Sequence, residues 1–211
     1  MRNFDLTLYK LIDRKIEIKN FEQWVYSEKE LERILTPDDY LDLISSDYSL
    51  PSSLYEAEKI LKPYIDIGKH LELNLHRVLQ KVIDRPKDAH KFIEQCYDMY
   101  CDGYNFLDNL GLGYGLHVSV PPSNYGADTW QELKSHEQLK LINSFYPAVA
   151  QEAQKVLLWL DTEKIILTGH DGGYQGIEYE DNRTPQEKKP TRYKVAAPSK
   201  KKWWKFWYRH R

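Results

Sequence analysis

Apolar residues recur at helical spacing along most of the first 160 residues of this chain. Phe4, Leu8 and Leu11 stand at positions i, i+4 and i+7, which predicts a helix with one buried side. Similar apolar stripes run through residues 71–82 and 149–160. Because each stripe must be buried against a neighbour, the pattern predicts a mostly α, multi-helix globular domain.

Polar residues at the borders of these stripes predict where several helices begin. Thr36 is followed by Pro37 and two acids, which is typical of an N-cap, a proline in the first helical turn and a favourable helix dipole. Ser27 with Glu30 predicts a capping box at the start of another helix. Asn20 is predicted to cap a short second helix, which follows the N-terminal helix and holds Phe21, Trp24 and Val25.

Glycines and prolines divide the remaining helical region. Gly68 predicts a break between two helices. A long helix is predicted from Pro86 to about Asn109, and the glycine-rich run 109–115 then starts an irregular segment that continues to Asp128. This run resembles a phosphate-binding loop, but that fingerprint needs a preceding strand. We therefore interpret its glycines as a helix C-cap and a tight loop.

The segment before residue 180 has the pattern of a short β-hairpin. Residues 164–168 are rich in β-branched side chains, residues 169–173 form a predicted turn, and residues 176–179 are predicted to pair back. His170 and Asp171 lie on this turn and have the residue types of a general base and its orienting acid. No nucleophile is linked to them by spacing, so an Asp-Gly-Gly hairpin turn is the favoured interpretation.

The net charge of −2 conceals a strong asymmetry along the chain. Residues 181–211 hold 11 Lys/Arg and 2 Asp/Glu, a net charge of +9, and the remainder has a net charge of −11. We predict a helical acidic domain over 1–180, a flexible proline-containing linker over 181–199 and a basic aromatic tail over 200–211. A body this acidic repels nucleic acid and attracts cationic partners.

Composition excludes several classes of protein. No apolar run reaches the ~20 residues that span a bilayer, and the N-terminal residues lack the apolar centre of a secretory signal. Both features predict a cytoplasmic protein. Cys96 and Cys101 lie about 140° apart around a helix axis, so free thiols are expected. The seven histidines form no metal-binding pair, so no metal, cofactor or catalytic residue is predicted and we expect no enzymatic activity.

Acidic side chains gather around two adjacent predicted helix starts. One interpretation is helix capping together with a solvated face. The other is a negative patch for a basic protein partner, which the net charge of the body favours. The predicted patch consists of Glu28, Glu30, Glu32, Asp38, Asp39 and Asp42.

The C-terminal tail combines large aromatic residues with cations. Such a mixture suits an anionic membrane surface, single-stranded nucleic acid, or the acidic body of the same or a neighbouring chain. All three uses remain open. The tail residues expected to bind are Lys200, Lys201, Lys202, Trp203, Trp204, Lys205, Phe206, Trp207, Arg209 and Arg211.

Short stretches of the chain resemble a known kind of bacterial protein. The stretches 21–26, 30–32 and 40–45 are similar to the N-terminal pattern of small toxin-immunity proteins, and 97–107 is similar to other bacterial sequences. The resemblance covers about the first 50 residues and a few short segments. It implies a cytoplasmic, non-enzymatic inhibitor whose gene lies beside that of a toxin.

Three hypotheses about function follow. The first is an immunity-type binding protein that neutralises a basic bacterial toxin. The second is a peripheral protein held at the inner face of the membrane by its tail. The third is an enzyme that uses the glycine run with His117 or His170, for which the sequence offers no complete catalytic set.

Overall fold

The computed structural model describes residues 3–171 and 176–189. Ten α-helices and an antiparallel two-stranded hairpin form most of this part of the chain, which confirms the predicted, mostly helical fold. The tail 200–211 and residues 190–199 lie outside the described residues. The helices are α1 (Asn3–Ile12), α2 (Ile18–Ser27), α3 (Glu30–Ile34), α4 (Pro37–Ser45), α5 (Ser53–Leu61), α6 (Ile67–Asp84), α7 (Ala89–Cys101), α8 (Leu116–Ser119), α9 (Ser135–Phe145) and α10 (Ala148–Asp161). The strands are β1 (Ile165–Asp171) and β2 (Ile177–Asp181).

The described residues form two compact units. The first holds residues up to Asn74 together with 167–170, and the second holds 75–166 and the described residues from 171 onwards. Helix α6 and strand β1 each contribute residues to both units. The region predicted as one helical domain therefore contains two centres of packing.

The core of the first unit is built from the apolar stripes of its helices. Phe4, Leu8 and Leu11 are buried, as the helical spacing at the N-terminus predicts. Aromatic rings add to this core, because Phe21 lies 5.6 Å from Trp24 between ring centroids. The buried members of this core are Phe4, Leu8, Tyr9, Leu11, Phe21, Val25, Leu31, Leu35, Leu43, Tyr48, Ala57, Leu61 and Ile65.

The predicted start of α4 is confirmed. The Thr36 side chain accepts a hydrogen bond from the Asp39 backbone N–H at 3.2 Å, and Pro37 occupies the first turn. This bond satisfies one of the four backbone N–H groups that a helix start leaves without a partner. Local sequence alone specifies this boundary.

The capping roles predicted for Ser27 and Asn20 are wrong. Ser27 is the last residue of α2, and its hydroxyl donates to the Trp24 carbonyl at 3.2 Å. The Glu28 carboxylate instead accepts from the Glu30 backbone N–H at 3.2 Å. Asn20 lies inside α2, which already begins at Ile18. A residue within a helix has the wrong backbone conformation for an N-cap.

The sequence predicted a break at Gly68. Gly68 instead lies in the first turn of α6. A Cβ atom at Gly68 would lie 2.1 Å from the Leu167 carbonyl oxygen. Gly169 has a φ of 76°, and a Cβ atom there would lie 2.5 Å from the Gly68 nitrogen. These two glycines let the start of α6 approach the backbone of β1 within the first unit.

Helix α7 is shorter than the helix predicted from Pro86 to about Asn109. It ends at Cys101, and Gly103 follows with a φ of 102°. The Tyr104 N–H then donates to the Met99 carbonyl at 3.1 Å. A left-handed glycine with a bond back to the last turn is a common way for a helix to end.

The glycine-rich run is helical, so the prediction of a C-cap and an irregular loop is wrong there. Asn109–Gly115 forms a π-helix that continues into α8. A Cβ atom at Gly111 would lie 2.7 Å from the Tyr100 Cβ, and one at Gly115 would lie 2.6 Å from the Ile93 carbonyl oxygen. The glycines therefore allow this segment to pack closely against α7.

The predicted hairpin is confirmed, with β1 paired to β2. Residues 169–171, predicted as part of the turn, belong to β1 instead. Residues 172–175 lie outside the described part of the chain. Strand pairing here extends further than the turn-forming residue types indicate, because backbone hydrogen bonds do not depend on side-chain identity.

The first residues of the predicted linker contact the second unit. Arg183 forms two hydrogen bonds to the Asp181 carboxylate at 3.0 Å, and its guanidinium lies 4.5 Å from the centre of the Trp159 ring. Lys164 pairs with Glu187 at 2.6 Å. Residues 181–189 are thus tied to α10 and the hairpin, and the linker prediction now concerns the residues after Lys189.

Candidate functional site

The six acids of the predicted patch differ in what their side chains contact. Asp39 is engaged within the fold. Its carboxylate accepts hydrogen bonds from the Thr36 hydroxyl at 2.6 Å and from the Tyr64 hydroxyl. These bonds, that from Thr36 first, hold the pKa of Asp39 below its ordinary value. Asp39 therefore serves the start of α4.

Glu28 and Glu30 also face their own local structure. Both are half-buried, and Glu28 accepts the bond from the Glu30 N–H that precedes α3. The capping interpretation of the acidic cluster holds for these two residues and for Asp39. The other three acids, Glu32, Asp38 and Asp42, are exposed.

Helix α4 presents a solvent-facing stripe that contains two of these exposed acids. Asp38, Leu41, Asp42 and Ser45 stand at i, i+3, i+4 and i+7, and all four are exposed. We call this stripe the outer face of α4. Leu41 is 56% exposed. The outer face of α4 therefore sets one large exposed apolar side chain between two exposed carboxylates.

Charge around the outer face of α4 is of one sign over a long stretch of sequence. Between Arg33 and Lys59 the chain holds six Asp/Glu and no Lys, Arg or His. Cations at or beyond the ends of this stretch pair with two of the six acids: Lys59 with Glu56 at 3.2 Å and Arg14 with Glu58 at 3.5 Å. An approaching basic surface would meet a negative potential that salt screens over ~10 Å at 0.1 M.

The candidate catalytic residues His117 and His170 lie in different elements of the fold. His117 lies in α8, and burial lowers its pKa despite the opposing effect of the Gly113 carbonyl. The backbone of His170 lies in β1, whereas a turn was predicted. No group of three His, Cys, Asp or Glu side chains within the described residues could hold a metal ion.

The two cysteines are free, as their spacing predicts. Cys101 is exposed, and Cys96 is buried. Burial raises the pKa of Cys96 to about 12, so its reactive thiolate form is scarce near neutral pH.

One close His–Asp pair was missed by sequence reasoning. The His70 Nε2 atom lies 2.7 Å from an Asp13 carboxylate oxygen, and the Tyr9 ring stacks on His70 at 4.6 Å between centroids. Burial opposes ionisation of Asp13, but hydrogen bonds from Lys15 and His70 outweigh it and lower the pKa. Because 57 residues separate the pair, no local pattern could reveal it. The pair links the end of α1 to the start of α6.

A second missed cluster surrounds Trp159 in the second unit. Glu152 pairs with Lys155 and also accepts a hydrogen bond from the Asn109 side chain at 2.7 Å. The Lys155 ammonium lies 5.1 Å from the centre of the Trp159 ring. The Arg183 guanidinium also packs on this ring. Burial lowers the pKa of Lys155. The cavity among these groups is only about 10 Å³, the size of one water molecule, so the cluster is a structural ion network.

The predicted tail site cannot be placed, because residues 200–211 lie outside the described residues. Within the described part of the chain, no helix is both long enough and apolar enough to cross a membrane.

Comparison of the chain with protein-family models, curated proteins and solved structures finds no match. The case for function therefore rests on the residues and geometry above. The resemblance to toxin-immunity proteins remains a hypothesis.

Proposed function

We propose that this protein is a non-enzymatic, immunity-type binding protein that captures a basic protein partner on the outer face of α4. The observation that carries the proposal is the exposed Leu41 between the exposed carboxylates of Asp38 and Asp42. An apolar anchor with charged neighbours combines affinity with orientation. The proposed partner is a toxin with a basic, partly apolar surface, and the proposed site of action is the cytoplasm.

Charge and apolar contact would play separate roles in this complex. The acids of the outer face, helped by the acidic body, would speed the encounter with a cationic partner. Leu41 would be buried on docking and would slow dissociation, because central apolar anchors dominate interface energies. The proposal thus predicts that charge variants change mainly the association rate and that Leu41 variants change mainly the dissociation rate.

The decisive experiment begins with the genes adjacent to this one in its host. Each adjacent product is expressed in a laboratory bacterium with and without this chain, and growth is measured. We expect one product to arrest growth and this chain to restore it. Surface plasmon resonance with that product then compares the original chain with the Asp38→Lys/Asp42→Lys variant, whose association rate at low salt should fall about 10–100-fold.

Matched controls separate the outer face of α4 from general effects of charge and apolarity. Glu163→Lys/Glu180→Lys makes the same charge change at two exposed acids outside α4 and should restore growth normally. Leu41→Ala should weaken binding about tenfold or more. Leu158→Ala changes a leucine of similar exposure, 58% against 56% for Leu41, and should leave binding unchanged. A host neighbourhood without any toxic product, or equal losses from control and test variants, would refute the proposal.

The sequence of the tail supports a second candidate function, a peripheral membrane protein. Three tryptophans and one phenylalanine stand among six Lys/Arg in residues 200–211. Aromatic rings at the headgroup level and cations on anionic lipids would hold such a segment reversibly at the inner face of the membrane.

Flotation with vesicles of phosphatidylcholine and phosphatidylserine tests this candidate. The full chain should float with the anionic vesicles. A variant with serine in place of Trp203, Trp204, Phe206 and Trp207 should stay unbound in the bottom fraction of the gradient. Equal flotation of both forms would exclude the tail as the anchor. Full-chain flotation on pure phosphatidylcholine would instead argue against the role of the cations.

A further inference from the structure

The second unit holds a groove that shares no residue with the outer face of α4. It has a volume of about 330 Å³, which is at the lower end of the range for small-molecule sites. Three elements line it: the start of α7, the short 3-10 helix Trp130–Glu132, and one side of α9. The lining residues are Lys87, Ala89, His90, Trp130, Ser135, Gln138, Leu139 and Ile142.

The floor of this groove is a stacked pair of aromatic rings. The rings of His90 and Trp130 lie 4.5 Å apart between centroids and only 14° from parallel. Burial lowers the pKa of His90, so the imidazole is neutral near pH 7 and stacks as an uncharged ring. The Gln138 side chain donates to the Trp130 carbonyl at 3.0 Å and so fixes the segment that carries the indole. Trp130 is only 9% exposed, so the half-buried His90 offers most of the open ring surface of this floor.

The wall that α9 contributes is apolar and exposed. Leu139 is 62% exposed, the highest exposure among the large exposed apolar residues of the described chain. Ile142 stands one turn further along the same side of α9 and is half-buried. Ser135 begins this side of the helix. Such an open apolar side next to an aromatic floor can cover one face of a flat apolar molecule.

Lys87 supplies a positive charge at the groove, while the nearby acids Glu94 and Asp88 oppose the lowering of the His90 pKa. Lys87 is exposed, lines the groove and forms no ion pair with any described residue. None of the described lining residues is an acid. The first residues of α7 and α9, Ala89 and Ser135, also lie at the groove, and helix starts favour an anion nearby. An anionic group beside Lys87 would thus find a complementary environment.

From this geometry we propose that the groove binds a small aromatic carboxylate. The aromatic ring lies on the His90–Trp130 pair against Leu139, and the carboxylate lies at the Lys87 ammonium. The tail 200–211 offers aromatic rings too, but its six Lys/Arg would face Lys87 with like charge. The Lys87 ammonium therefore favours a small anion over the tail.

Nuclear magnetic resonance titration of the ¹⁵N-labelled full chain tests the proposal. The probes are indole-3-acetate and its neutral isostere indole-3-acetamide, and the reporters are the Trp130 indole N–H and the Leu139 amide. We expect both signals to shift with the carboxylate, at an affinity about two- to fivefold above that of the amide, because an exposed ammonium–carboxylate pair adds only a modest attraction.

Variants identify the groups responsible. Lys87→Met should bring the affinity for the carboxylate down to that for the amide and leave the amide affinity unchanged. Lys140→Met, a matched change of an exposed lysine of α9 outside the groove, should leave both unchanged. Leu139→Asp should abolish both interactions. Circular dichroism and the amide spectrum of each variant confirm that it is folded before titration.

Several results would overturn the proposal. Equal affinities for carboxylate and amide, or equal effects of the two lysine variants, would remove the role of Lys87. Unshifted Trp130 and Leu139 signals at millimolar probe would exclude the groove. Binding that appears only when the four tail aromatics are replaced by serine would show that the tail is the occupant.

Discussion

At the scale of single residues, the glycines of this chain show why a residue type does not fix its role. Gly68 and Gly115 were predicted to interrupt helices, yet both lie in helical segments. What they share is a backbone carbonyl opposite the missing side chain, at 2.1 Å from a Cβ on Gly68 and 2.6 Å on Gly115. Helix propensity favours other residues there, and close packing overrides it.

Gly115→Ala should destabilise the protein. Alanine at an open helical position would stabilise by ~1 kcal/mol relative to glycine. Here the new methyl group would meet the Ile93 carbonyl oxygen and the Tyr97 Cβ, and such overpacking costs ~1–3 kcal/mol or more. We expect a net loss in the free energy of unfolding, measured by urea denaturation.

The control lies in the same π-helix. Leu112 is 42% exposed, so Leu112→Ala should change the free energy of unfolding by only ~0.5 kcal/mol. A Gly115→Ala variant as stable as the original chain would show that the segment can move away from α7.

At the scale of elements, the start of α4 was predictable because local chemistry specifies it. The end of α7 and the π-helix were not, because packing specifies them. The Thr36 cap of α4 depends on a residue three positions away. The end of α7 and the π-helix depend on how two segments meet, which the sequence of either segment does not encode. Packing also decides which apolar residues of α4 are buried, because Leu41 faces solvent. Its neighbours Leu43 and Ile44 fill the core instead.

The segment 181–189 offers an element-scale prediction about pH. The Lys164 ammonium, followed by the backbone and hydroxyl groups of Thr184, lowers the pKa of Glu187 from 4.5 to about 2. A depressed folded-state pKa means that these contacts stabilise the segment fully above pH 4.5 and are lost as the pH falls towards 2. The protection factors of amides 182–189, which compare their exchange with that of an unfolded chain at the same pH, should therefore fall as the pH is lowered over this range.

Two variants make this pH dependence specific. Glu187→Gln keeps an acceptor for Thr184 but has no charge to titrate, so its exchange between pH 4.5 and 2 should show no step from this site. Lys164→Met should shift the step towards the ordinary pKa of a glutamate. An unchanged step in the Glu187→Gln chain would assign the transition to another group.

At the scale of the whole molecule, the distribution of charge dominates. Residues 190–211 carry eight Lys/Arg and no Asp/Glu, so a chain that ends at Lys189 has a net charge of −10 in place of −2. Both proposed functions depend on this separation. The outer face of α4 needs an acidic surrounding, and membrane attachment needs a basic segment that the body does not neutralise.

Ion-exchange chromatography near pH 7 should reveal this separation directly. We expect the full chain to bind both anion and cation exchangers at low salt, because each resin meets a segment of opposite charge. The chain ending at Lys189 should bind the anion exchanger more tightly and pass through the cation exchanger. A full chain that passes through the cation exchanger would indicate that the tail docks on the acidic body.

The sequence by itself determined the helical class, the hairpin, the cap of α4, the free cysteines and the division of charge. Each of these depends on spacing within a few residues or on composition, which a single chain displays directly. The tertiary structure decided which helix faces meet. It therefore placed the glycines in contacts, exposed Leu41 beside Asp38 and Asp42, and paired Asp13 with His70. It also brought Lys87, His90 and Trp130 to one groove. The glycine contacts, the Asp13–His70 pair and the approach of Trp130 to His90 join residues far apart in sequence, and only packing brings such residues together.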